Sequence, residues 1–182
     1  MANLRSIKRR IRSVSNTAKV TKAMQMIAAT KMRRSQERAL SARPYAQKIH
    51  QVLSELLAQQ SLGDELNHPL LEGRIIRKSL MIHFTPDKGL CGGMPSNMNR
   101  KTAQYISDSP TPVGLITVGK KGRDFMVRAG QDVKGVFIDF GDRPSLTSVL
   151  PLVRLIEQMY TSEEIDEVII GYTRFVNTVV QE

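Results

Sequence analysis

The stretch from Asn3 to Gln60 constrains this chain most. Apolar or small side chains recur three or four places apart at Leu4, Ile7, Ile11, Val14, Ala18, Thr21, Met24, Ala28, Met32, Ser35, Ala39, Ala42, Ala46, Ile49, Leu53 and Leu57. That spacing predicts one very long helix with a mean step of about 3.5 residues, the period of a coiled-coil seam. At 1.5 Å per residue it would run roughly 85 Å, more than the diameter of a domain of this size, so it is expected to project and to need a companion. Pro44 removes a backbone donor from the carbonyl of Leu40, and a bend is expected near Arg43. The periodicity resumes beyond it, which favours one bent helix over two. From Ala28 to Ala46 the stripe is nearly all small, so a companion helix can approach closely while burying little apolar area.

Charge narrows the kind of companion. The whole chain carries a formal net charge of +10, and 13 Lys or Arg against the single acid Glu37 fall within its first 50 residues. A basic helix suits nucleic acid, an anionic membrane surface, or a protein with acidic loops. The membrane reading is the weakest, because this stretch has neither Trp nor Phe and its apolar face is largely Ala and Met. No apolar run is long enough to span a bilayer, and no signal or transit pattern opens the chain, so Met1 reads as the true start of a bacterial cytoplasmic protein. A single cysteine, Cys91, fits a reducing compartment.

Residues 61–77 are rich in turn formers and read as a linker. Four short branched runs follow at 78–84, 113–118, 133–139 and 168–172, with helical patterns at 96–107, 121–129 and 146–160. Alternation of this kind implies crossover connections and a parallel sheet. The expected fold is therefore α/β: a long N-terminal coiled-coil helix (1–60), a linker (61–77), then a mainly parallel Rossmann-like sheet flanked by helices (78–182). Pro144 and Ser145 signal the start of the third helix, and Pro151 fits only close to its first turn.

No catalytic constellation is legible. The loop TPDKGLCGGMPSN (85–97) has glycines and a lysine but the spacing of no phosphate-binding fingerprint. Gly119-Lys120-Lys121-Gly122 reads as a strand-to-helix turn whose N–H groups can hold an anion, yet no following Ser/Thr or acidic metal partner supports a nucleotide, and a plain tight turn is the simpler reading. His50, His68 and His83 show no metal-ligand spacing. Cys91 reads as a small buried turn residue before it reads as a nucleophile, and Asp139 with Asp142 as ordinary turn acids before a magnesium site. No cofactor and no metal are expected.

Two stretches carry a family resemblance. The run IRSVSNTAKVTKAMQMIAA (11–29) and the turn DKGLCGG (87–93), with ARPYA between them, resemble the gamma subunit of F-type ATP synthase, the central rotor stalk, along essentially the whole chain. The resemblance implies a noncatalytic shaft. In this family the N-terminal helix winds antiparallel with a C-terminal helix inside a ring of alpha and beta subunits. The α/β foot sits beside epsilon and on the c-ring, at the cytoplasmic face of the plasma membrane. Proton flow turns the shaft, and the shaft drives the beta subunits through their conformations.

The resemblance also implies site residues. Met24 matches a methionine close to an acidic beta-subunit loop, where an added charge would impair coupling. Lys88 stands where the family commonly has an arginine paired with a beta-subunit carboxylate, and it loses the bidentate fork. Lys8, Arg9, Lys19, Lys22, Arg33 and Arg34 are the expected basic contacts to beta subunits. Met94-Pro95 departs from the usual pair, removing a donor from the turn. The chain is expected to stop on or just after its last strand, short of the C-terminal helix. Two rivals are a basic coiled-coil nucleic-acid-binding protein and a nucleotide-dependent enzyme using the Gly119–Gly122 turn.

Overall fold

The computed structural model describes residues 3–60, 68–70 and 73–177. The chain divides into two compact units, Met1–Leu66 and Asn67–Glu182. The first holds α1, Leu4–Gln60, a single helix of 57 residues that runs through Pro44. Asn3 starts it: its side-chain oxygen accepts from the Arg5 N–H at 3.3 Å, and its carbonyl accepts from Ser6 N–H at 2.7 Å. Several hydroxyls along the helix donate to its own backbone. Thr17, Thr21 and Thr30 donate to the carbonyls of Ser13, Thr17 and Met26 at 2.9–3.0 Å, so the hydroxyl of Thr21, within the stripe, needs no outside partner.

The second unit is built on β1 (Ser79–Phe84), α2 (Met94–Asp108), β2 (Val113–Val118), α3 (Lys120–Arg128), β3 (Val133–Phe137), α4 (Leu146–Thr161) and β4 (Glu167–Gly171). The four strands form one sheet in the order β3-β2-β1-β4. Every pairing is parallel, with Ser79 opposite both Val113 and Glu167. The expected mainly parallel, Rossmann-like sheet is thus present. The chain steps outward from β1 to β3, then crosses back to lay β4 on the other side of β1.

Alternation along β1 explains why both faces are covered. Leu80 and Ile82 join Ile116, Val118, Leu152, Met159 and Ile165 in a core under α4. Met81 joins Val113, Leu115 and Met126 in a core on the opposite face. The chain is tied in at the start of β1 by Asp166, whose Oδ2 accepts from the N–H groups of Arg77 (2.8 Å) and Lys78 (3.0 Å). Those donors, the Arg77 one foremost, hold its carboxyl below the usual range. Arg74 lies 4.4 Å over the Tyr160 ring and donates to the Tyr160 carbonyl. The rest of the expected linker falls largely on residues 61–67 and 71–72, outside the described residues.

Three local expectations need correction. Cys91 is exposed rather than buried, because its turn stands out from the sheet. Pro151 lies at the start of the second turn of α4, close to the first as expected. The carbonyl it leaves without a donor is that of Thr147, an exposed residue near the helix start, where water can replace the lost bond. The third run ends as a strand at Phe137, short of Asp139, which has a left-handed φ of 60° that no ladder accommodates. Pro95 removes no needed donor: it falls in the first two positions of α2, where N–H groups have no partner within the helix.

Candidate partner-contact surfaces

The residues named from the sequence fall in both units. On α1, every described side chain except the half-buried Gln36 is exposed. The apolar stripe is uncovered throughout, with Met24 at 46% exposure. One turn of helix is 3.6 residues, so neighbours in sequence lie about 100° apart around the axis. Lys8, Lys19, Lys22 and Arg33 each follow a stripe residue by one place, and so flank the seam along one side, while Arg9 and Arg34 lie further round. Of these, Arg33 is engaged by Glu37 at 2.9 Å, an exposed pair one turn apart worth little on its own.

Lys88 lies in the second unit, in the loop from β1 to α2, and its side chain is exposed. The loop is organised by contacts that one sequence does not reveal. Thr85, Pro86 and Asp87 grip the start of α3 residue by residue. The Thr85 hydroxyl accepts from Gly122 N–H at 2.7 Å, the Pro86 carbonyl from Lys121 N–H at 3.2 Å, and Asp87 Oδ1 from Lys120 N–H at 3.0 Å. The other carboxylate oxygen of Asp87 accepts from Asp139 N–H at 3.1 Å, and Asp139 in turn pairs with Lys120 Nζ at 2.8 Å.

These bonds decide the fate of the Gly119–Gly122 turn. Its N–H groups, free to take an anion at an ordinary helix start, are used within the chain: Lys120 N–H by the Asp87 carboxylate, and those of Gly119, Lys121 and Gly122 by the Phe137 carbonyl, the Pro86 carbonyl and the Thr85 hydroxyl. Both glycines serve close packing. A Cβ on Gly119, which has φ +104°, would lie 1.9 Å from the Thr85 carbonyl oxygen, and one on Gly122 would lie 2.6 Å from the His83 ring. The tight-turn reading therefore stands and the turn is already filled.

His83, in the buried run of β1, is fully enclosed, at 0% exposure. Its Nε2–H donates to Asn99 Oδ1 at 2.8 Å, because that oxygen can only accept, and Nδ1 accepts from the Thr102 hydroxyl at 3.0 Å. Burial pushes its pKa below 6.5, partly opposed by the Asn99 bond. The folded unit thus holds neutral histidine while the unfolded chain protonates below about pH 6.5. The unfolded state binds more protons there, so stability is expected to fall as pH drops below about 6.5, by at most about 1.4 kcal/mol per pH unit. Thermal unfolding of His83→Gln beside the parent, followed from pH 7.5 to 5, checks this; the variant should lose that part of the slope. His50 on α1 and His68 beyond it are both exposed. Among the described residues no cluster of His, Cys, Asp and Glu is arranged to hold a metal.

A long exposed basic helix and a Rossmann-like unit with an occupied helix start define an α/β protein with two units of different kind. Comparison with known proteins gives the family. A family model described as ATP synthase matches residues 3–182. The ATP synthase gamma chain of Dehalococcoides mccartyi strain CBDB1 is 50% identical over 181 residues, which is 100% of this chain and 63% of that protein. The ATP synthase gamma chain of Herpetosiphon aurantiacus is 42% identical over 190 residues, covering 100% of this chain and 64% of that one.

The central stalk and c-ring structure of the Tetrahymena thermophila mitochondrial ATP synthase superposes with a TM-score of 0.70 at 24% identity, over 90% of this chain and 69% of that one. That likeness shows the fold. The chain belongs to the ATP synthase gamma family. It spans a little under two thirds of the length of the curated relatives it matches. Family membership leaves the nucleic-acid alternative without support.

Proposed function

We propose that this chain is the central-stalk rotor subunit, or the larger part of it, of a proton-translocating F-type ATP synthase. It does no chemistry itself; nucleotide is turned over on beta subunits. What carries the reading is α1: a 57-residue basic helix whose apolar stripe is exposed among the described residues, in a chain of the gamma family. A helix of this length with an open seam is a shaft lacking its second strand. The companion is a second helix packed antiparallel along the stripe, close against the small residues from Ala28 to Ala46.

Lys8, Arg9, Lys19, Lys22, Arg33 and Arg34 then face acidic loops of the surrounding beta subunits. Their charges set angular preference, and packing along the seam carries torque. Met24 meets a beta-subunit loop directly, and Lys88 pairs with a beta-subunit carboxylate. The 78–182 foot rests beside epsilon and on the c-ring. Attachment to the membrane is peripheral, at the cytoplasmic face of the plasma membrane and through the complex; among the described residues no helix is long and apolar enough to cross a bilayer.

Copurification from detergent-extracted membranes of the source cells checks the partners. Tagged on this chain, the purified material should contain alpha, beta, epsilon and c subunits in fixed proportion. Recovery of the chain alone, or bound to nucleic acid that resists physiological salt, would contradict the reading.

A further inference from the structure

The tip of the β1–α2 loop is short, exposed and held in an unfavourable backbone shape. Lys88, Gly89, Leu90 and Cys91 are all exposed, and Leu90 is 90% exposed with a left-handed φ of 64°. A branched-chain residue in that region is strained, and an apolar side chain so exposed gains nothing from solvent. Such a tip keeps its shape only if its two ends are fixed. On the far side it runs into α2 at Gly93 and Met94. On the near side it is anchored at Asp87, which spans two elements, with one oxygen on Lys120 N–H and the other on Asp139 N–H.

We propose that Asp87 is the positioning residue of this tip: its carboxylate fills the anion position at the start of α3 and so sets where Lys88 and Leu90 stand for a partner. The assignment rests on the rotor reading, in which that partner is a beta subunit. The groups around Asp87 fit the task. Two N–H donors and the positive end of α3 make the position favourable to a carboxylate, and the Lys120–Asp139 ion pair ties the same two residues together. Thr85 and Pro86 continue the grip back to the end of β1. Asp87 touches no partner; it acts through Lys88 and Leu90.

The test uses the assembled ATP synthase in vesicles and reads protons pumped per ATP hydrolysed. Asp87→Ala should lower that ratio about tenfold, the scale of one lost hydrogen bond to a charged group. Sodium formate, a carboxylate small enough for the emptied position, should restore a substantial part of it. Asp87→Asn, which keeps one acceptor, should fall between the two and covers the case in which the alanine variant does not fold.

Lys88→Ala should show a loss that formate does not restore. The Asp87→Ala/Lys88→Ala pair should be no worse than the more impaired single variant. Additive losses, a defect in Asp87→Ala that formate leaves untouched, or full coupling in both Asp87 variants would overturn the assignment. Failure of the parent chain to assemble with alpha and beta subunits would instead remove the rotor reading.

Discussion

Gly119→Ala is expected to lower the stability of the foot by about 3 kcal/mol or more, the sum of an overpacking term and a backbone-strain term each of about 1–3 kcal/mol. The new methyl group would sit 1.9 Å from the Thr85 carbonyl oxygen, on a backbone whose φ of +104° already disfavours any side chain. Neither the strand nor the turn can yield cheaply. Thr85 N–H bonds the Val118 carbonyl at 2.8 Å, and Gly119 N–H bonds the Phe137 carbonyl at 2.8 Å, so β1, β2 and β3 are tied at this one point. For a unit of this size the unfolding midpoint should fall by more than about 10 °C. The near-ultraviolet signal of the Tyr and Phe residues reports it with little contribution from α1, which holds only Tyr45 among them. A midpoint shift of under about 3 °C would mean that the β1–α3 contact is far looser than these distances.

The second large effect concerns the seam of α1. Ala39 and Ala46 are exposed within their own unit, so Ala39→Phe with Ala46→Phe should change the helicity and solubility of the unassembled chain little. In the shaft the same two rings would be forced against a closely approaching companion helix, at about 1–3 kcal/mol each. Assembly yield, or the coupling of hydrolysis to pumping in whatever assembles, should then fall by at least tenfold. The contrast between a silent change in the free chain and a severe one in the complex is the signature of an interface. Equal behaviour in both settings would show that nothing packs on the small-residue stretch.

Much of this architecture is legible in the chain because the signals are local and repeated. The stripe from Leu4 to Leu57 specifies a helix by period alone, and each branched run of the foot is bounded by turn residues, so all four strands fall within a few residues of their expected places. Parallel pairing follows from the helices between them. The sites were harder to read, for a physical reason. Asp87 and Lys120 are 33 residues apart, and a carboxylate filling the N-terminus of a distant helix leaves no mark in either local stretch. The glycines at 119 and 122 suggest a bound anion because such a turn opens a helix, and the carboxylate that takes the Lys120 N–H comes from within the chain. Cys91 reads as buried because its glycine-rich surroundings resemble a tight turn, whereas Leu90 and Gly92, both with left-handed φ, belong to an exposed tip. The seam of α1 shows only that a companion is required, since an uncovered stripe of alanines is compatible with many helices.

The most direct test of the rotor account is rotation itself. Alpha and beta subunits assembled with this subunit would be fixed to a surface through beta. A probe particle would be attached to the foot through a cysteine introduced at Gln104, an exposed position on α2, with Cys91 changed to serine. The account predicts unidirectional turning of the particle that starts with ATP and stops when ATP is removed. Steady ATP hydrolysis by the same immobilised complexes with the particle motionless would contradict it.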